Sequence, residues 1–229
     1  MLKFTPLLLA ILYAVAMYRV SAWRTKKELN DRSTQLMDPK LFPVLDRLAA
    51  ALEVPQIKVY LYEVDPVNGL ASPDGKVYLT RGFYRKFQNG EVTAEELASV
   101  IAHELGHVAL GHTRRRMIDF SGQNALRAAL AMFLSRFLPG VGVWIANTLT
   151  TLLAARMSRS DEYEADEYAS ALMVKAGFGT GPQKSLFAKL EELTGARAGA
   201  MPAWLISHPK TPQRIAAIEE HEAKWGLTE

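Results

Sequence analysis

The sequence predicts a mostly helical α+β fold, with a small antiparallel sheet lying beside a helix that carries two histidines four residues apart. Three observations predict it. The run His103-Glu104-Leu105-Gly106-His107 sits inside a pattern of helical period, with Leu97, Val100, Ile101, Leu105 and Val108 on the apolar face. Ile57 to Tyr62 alternates with the period of a strand, and Leu70-Ala71 and Lys76 to Thr80 flank the turn signature Pro73-Asp74-Gly75. Most of the remainder reads as helix, including a strongly apolar stretch over 125–155. A chain of 229 residues can bury a full core.

Taken in order, residues 1–23 read as a membrane anchor or a signal sequence. Phe4 to Trp23 is apolar apart from Arg19 and reaches the length of about 20 residues that a span needs. An uncleaved anchor is preferred, with a signal peptide cleaved after Val20-Ser21-Ala22 as the rival. Arg19, Arg24, Lys26 and Lys27 outweigh Lys3, which favours a cytoplasmic catalytic domain for the anchor; a signal peptide places it on the other side. Residues 24–40 read as a polar juxtamembrane linker that becomes helical, and 41–225 as one catalytic domain. Leu41, Leu45, Leu48 and Leu52 form a helical stripe. The sheet follows, and its edge strand offers main-chain pairing to an extended peptide unless the hairpin is purely structural.

Thr93-Ala94-Glu95-Glu96 is a capping box that opens the His103/His107 helix, which ends near Gly111-His112. His112 lies off the ligand face and reads as a structural or hydrogen-bonding histidine. In the apolar stretch 125–155, Pro139-Gly140-Val141-Gly142 breaks two short arms with basic residues on both flanks. This predicts a helical hairpin over the active site, dipping into a bilayer surface, with a buried core hairpin or two true spans as alternatives. Thr180-Gly181-Pro182 opens another helix with Leu186, Phe187 and Leu190 inside. Residues 195–203 read as a Gly/Ala-rich loop. Thr211-Pro212 starts a last helix with the stripe Ile215, Ile218, Glu222 and Trp225.

The chemistry rests on spacing. Two imidazoles four residues apart share a helix face and can grip one zinc ion, while Glu104 beside the first can act as general base. A catalytic zinc takes three protein ligands and keeps one position open. In Ser158-Arg159-Ser160-Asp161-Glu162-Tyr163-Glu164-Ala165-Asp166, Glu162 and Asp166 again share a face. Glu162 is assigned as third ligand and Asp166 as the acceptor behind a ligand imidazole; an acidic solvated face is the alternative.

With these motifs in place, the sequence resembles the gluzincin metallopeptidases of family forty-eight, which include the HtpX, BepA, CAAX prenyl endopeptidase and OMA types. HELGH and EYEAD carry the resemblance, with Asn68 to Gly75, Ser207-His208-Pro209 and Arg214-Ile215 as further elements in family order. The resemblance implies a zincin-type metalloprotease domain with one Zn2+ per chain. It also implies a zinc-dependent endopeptidase acting on membrane-associated or envelope proteins in protein quality control. It assigns His208 as the catalytic donor to the oxyanion, against a loop histidine with no role.

The expected partners are protein or peptide substrates and the lipid bilayer. Nucleic acid is not expected, because the net charge of +3 is mild and no aromatic residues interleave the basic clusters. The absence of cysteine excludes disulfides and thiolate zinc ligands. Two other function classes stay open: a zinc hydrolase with exopeptidase specificity, and a non-catalytic membrane adaptor. The intact Glu104 argues against the adaptor.

Overall fold

The fold is set by helices that bury one stripe each around a short sheet. The computed structural model describes residues 5–72, 74–112, 115, 126–127, 130–193 and 211–227. In chain order come α1 (Thr5–Asp31), β1 (Ser33–Gln35), α2 (Phe42–Ala51), β2 (Val59–Tyr62), β3 (Gly69–Ala71), β4 (Val77–Thr80), α3 (Arg81–Gln88) and α4 (Ala94–Ala109). After them come α5 (Gly142–Lys175), α6 (Gly181–Leu193) and α7 (Thr211–Trp225). Residues 130–137 are also helical. The 195–203 segment and His208 lie outside the described residues.

Leu48, Leu79, Phe83, Leu97, Ile101, Met173, Leu186, Leu190 and Ile218 are fully buried, so α2, the sheet and α3 through α7 share one core. The apolar stripes read from the sequence on α2, α4 and α6 are the faces that enter it.

The sheet differs from the expectation of an antiparallel one. Its order is β1-β2-β4-β3. The β3–β4 hairpin is antiparallel as the Pro73-Asp74-Gly75 signature implies, with Gly69 opposite Leu79 and Ala71 opposite Val77. The hairpin then inserts its second strand beside β2, and β2 and β4 run parallel, Val59 opposite Val77. The sheet is therefore mixed. Residues 33–35, expected within the linker, add the antiparallel edge strand β1. The end of α1 is tied to the same sheet: Tyr62 Oη donates to Glu28 Oε1 at 2.8 Å, and Lys76 Nζ to Asn30 Oδ1 at 2.9 Å.

The chain does turn at the break expected in 125–155. Leu138 N donates to Leu134 O at the end of the first arm and Gly142 N to Leu138 O across the break, and a Cβ on Gly142 would lie 2.5 Å from Leu134 C, so the arms meet there. The second arm is continuous with the acidic motif, because α5 runs unbroken for 34 residues from Gly142 to Lys175. Phe133, Phe137 and Trp144 at the tip are more than half exposed, so the tip is not a buried core hairpin. No helix among the described residues is long and apolar enough to cross a membrane.

Candidate metal centre

Two helices build the site, and local chemistry fixes both. At the start of α4, Thr93 Oγ1 accepts from Glu96 N (3.2 Å) while Glu96 Oε2 accepts from Thr93 N (2.9 Å). Burial alone would raise the pKa of Glu96. Hydrogen bonds from Lys189, the Thr93 amide and Ser185 outweigh it and hold the carboxyl below its usual range. This anchors α4 to α6. Farther along, His103, Glu104 and His107 are all buried.

Opposite them, α5 presents Glu162 and Asp166, also buried and one turn apart. Gly106 allows the approach. A Cβ there would lie 3.1 Å from Ala165 O and 3.2 Å from Ala165 Cα. The glycine inside H-E-L-G-H is thus where the two helix backbones meet.

The ligand atoms converge. His103 Nε2 and His107 Nε2 stand 3.1 Å apart, and each lies 3.4 Å from an oxygen of Glu162. Among the described residues these three side chains form the one group whose donor atoms, all within 4.8 Å of one another, fit a metal ion. The donor set is two imidazoles and one carboxylate, which suits zinc and leaves a position open. The charge balance fits as well. Glu104, Glu162 and Asp166 are buried carboxylates, and Arg214 is the one buried guanidinium among the described residues. A buried excess of negative charge calls for a cation.

Without metal, His103 carries part of that role. Burial would lower its pKa, but hydrogen bonds to Asp166 and Glu162 dominate and push it up to about 9. Its Nδ1–H donates to Asp166 Oδ1 at 2.9 Å. Asp166 is in turn held below the usual carboxylate range: burial opposes this, but Arg214 and His103 outweigh it. Arg214 grips Asp166 through two bonds, Nε to Oδ2 at 2.6 Å and Nη2 to Oδ1 at 2.7 Å. Its guanidinium also lies 4.3 Å over the Phe187 ring and 3.9 Å from Glu162 Oε2.

The structure therefore brings together His103, Glu104, His107, Glu162 and Asp166. It gives a specific part to two further residues, Arg214 and His112, the second already expected as a structural or hydrogen-bonding histidine. Arg214 was noted only as part of a C-terminal element. Its signal was its position four residues before Ile218, on the apolar stripe of α7. His112 is fully buried, with Nδ1 3.0 Å from His107 Nδ1. On the sheet side, β3 packs close to the base. A Cβ on Gly69 would lie 2.7 Å from Val100 Cγ1 and 3.4 Å from Glu104 Oε1.

Comparison with known proteins agrees with this geometry. The sequence model of Peptidase family M48 matches residues 35–222. The chain is 27% identical over 214 residues to metalloprotease LoiP of Escherichia coli (strain K12), covering 88% of this chain and 82% of that protein. It is 31% identical over 165 residues to a putative beta-barrel assembly-enhancing protease of Vibrio cholerae, covering 69% of this chain but 33% of the longer protein. A protease HtpX homolog of Prosthecochloris aestuarii is 26% identical over 239 residues, covering 87% of this chain and 78% of that protein. With a zinc-type donor set at the meeting point of its two motif helices, the chain belongs to peptidase family M48 and is a zinc metalloendopeptidase.

Proposed function

We propose that this chain hydrolyses internal peptide bonds of membrane-associated or envelope proteins as a step in protein quality control. The observation that carries the catalytic part is the convergence of His103, His107 and Glu162 beside the buried Glu104. These three residues would hold one zinc ion, which would supply Lewis acidity to a water and a carbonyl at this site. Glu104 takes the proton of the attacking water and passes it to the leaving amine. Asp166 keeps the proton of His103 on Nδ1, so that Nε2 presents its lone pair, and Arg214 fixes Asp166. His208, assigned through the family's His-Pro position, donates to the developing oxyanion. An extended substrate pairs with the outer edge of β3, which is the last strand of the sheet and packs beside Glu104.

The membrane part rests on exposed apolar surface. On α1, Leu12, Tyr13, Val15, Met17, Val20 and Trp23 form a broad exposed apolar face, while Tyr18, Ala22, Thr25 and Leu29 on the other face are partly or fully buried. Residues 1–23 accordingly act as a single anchor. The V. cholerae relative's name refers to beta-barrel assembly, which places envelope proteins among the substrates to try first.

The test uses purified full-length protein and an internally quenched peptide blocked at both ends. Wild type should hold one zinc per chain and cleave the peptide. His103→Ala, His107→Ala and Glu162→Gln should lose metal. Glu104→Gln should keep zinc while losing about 10²–10⁴ in rate. Turnover of Glu104→Gln near the wild-type rate removes Glu104 as base, and hydrolysis only of unblocked peptides replaces the endopeptidase with an exopeptidase.

A further inference from the structure

We propose that His112 is a positioning residue for the zinc site. Its Nδ1 accepts the Nδ1–H of His107, its own Nε2–H is directed to Glu164, and this chain of bonds turns the Nε2 lone pair of His107 toward the metal.

Where α4 ends makes this possible. In a continuing helix, a residue five positions on would lie roughly 140° around the axis from His107. Instead α4 stops at Leu110, and Gly111 takes φ +71°. That left-handed residue breaks the helix, and the His112 ring lies edge-on to His107, with centroids 5.2 Å apart. His112 is fully buried there.

The proton assignment follows by elimination. Two ring nitrogens 3.0 Å apart need one proton between them. If His112 donated it, the proton of His107 would sit on Nε2 and point into the ligand group, 3.1 Å from His103 Nε2. His107 could then not ligate. If His107 donates, its Nε2 keeps the lone pair that a metal needs, and the proton of His112 lies on its own Nε2. That nitrogen faces Glu164 Oε2 at 3.3 Å, with Asp161 Oδ1 farther away at 3.8 Å. Both are acceptors when ionised. Glu164 is the better partner: Ser160 Oγ steadies its other oxygen at 3.2 Å, whereas Asp161 Oδ1 is drawn to Arg115 Nη1 at 3.3 Å. The two ligand rings thus have separate supports, a carboxylate directly behind His103 and a second imidazole behind His107.

This rests on the reading of His107 as a zinc ligand. Zinc affinity is measured by competition with a chromophoric chelator, for wild type and for the variants His112→Leu, His112→Asn and Glu164→Leu. Folding of the metal-free proteins is followed by circular dichroism. His112→Leu should bind zinc about 10–100-fold more weakly, the usual effect of losing such a partner. His112→Asn should recover most of that loss, because its Oδ1 can stand where Nδ1 stood. Glu164→Leu should weaken binding less than His112→Leu, since Glu164 is half-exposed. Nitrogen NMR of the zinc-loaded wild type should find His112 protonated on Nε2. Protonation on Nδ1, wild-type affinity in His112→Leu, or equal weakening by Leu and Asn would each overturn the proposal. If His112→Leu does not fold, the NMR tautomer and His112→Asn decide. A wild-type chain that binds no zinc removes the ligand reading itself, whereas normal wild-type binding with an unaffected His112→Leu removes only the role of His112.

Discussion

Arg214 is the residue on which the buried charges turn. Asp166 receives both of its strong bonds, and Glu162 lies within 3.9 Å. Removing one partner of a buried ion pair strands the other. Arg214→Leu should therefore destabilise the metal-free protein by about 3–5 kcal/mol in urea unfolding. Arg214→Lys should recover only part, because an ammonium cannot make the two-pronged contact. A loss below about 1 kcal/mol in Arg214→Leu would show that the pair contributes little. The proton on His103 makes a second prediction. Its pKa is raised from 6.5 to about 9 because its hydrogen bonds to Asp166 and Glu162 outweigh burial. A raised pKa stabilises the fold below the unfolded value and loses that effect as pH rises through the folded one. Metal-free protein should thus lose stability between pH 6.5 and about 9, and His103→Gln should lack this slope. An equal slope in both proteins would assign it to other groups. The ligands were legible in the sequence because four-residue spacing is a property of the helix alone. His112 was legible as a hydrogen-bonding histidine but not as the partner of His107, because its place depends on where α4 stops. Arg214 was not, because a charge on an apolar stripe reads as a lapse until its partner on another element is known.

At the scale of elements, the site is the crossing of α4 and α5, and its separation is set at Gly106. A methyl group there would meet Ala165 O at 3.1 Å and the Tyr168 Cβ at 3.2 Å. Both neighbours belong to the long α5, so the whole helix must give way by a few tenths of an ångström. Zinc sites tolerate about 0.2 Å in ligand distance. Alanine also improves helix propensity by about 1 kcal/mol over glycine. Gly106→Ala should therefore bind zinc more weakly although α4 itself is a better helix, a combination that chelator competition and circular dichroism together would reveal. Unchanged affinity would mean that α5 can absorb the methyl without moving Glu162. The sheet shows where sequence reading stops. Period two and Pro73-Asp74-Gly75 identify strands and a hairpin, both local properties. Whether β4 lies beside β2 depends on how that hairpin docks, and the sequence holds no short-range signal for it. The strand Ser33–Gln35 is too short and polar to stand out from the segment before it.

For the whole molecule, the question is what covers its apolar surface. Met132 is 76% exposed, Trp144 67% and Phe137 64%, and all three belong to the hairpin tip. Phe133 and Phe137 pack against each other with tilted rings, centroids 5.1 Å apart, without a covering element among the described residues. Soluble proteins rarely leave such a patch bare. Arg136 within it and the basic Arg19, Arg24, Lys26 and Lys27 on α1 suit an anionic headgroup layer. Burying each large apolar side chain is worth about 1.5–3 kcal/mol, so three at the tip bring roughly 5–9 kcal/mol to a bilayer-bound state. If α1 anchors the protein as proposed, it would hold it on vesicles by itself, so simple flotation does not isolate the tip. A direct readout is a variant whose only tryptophan is Trp144, with Trp23, Trp204 and Trp225 replaced by Phe. Bound to anionic vesicles containing bromine-labelled acyl chains, Trp144 should be quenched, and Phe133→Ser with Phe137→Ser should reduce that quenching while the protein stays on the vesicles. Because the tip is continuous with α5 and hence with Glu162, insertion would also set the height of the zinc centre above the bilayer. Vesicle-bound protein with unquenched Trp144 would place the tip in water and leave α1 as the sole membrane contact.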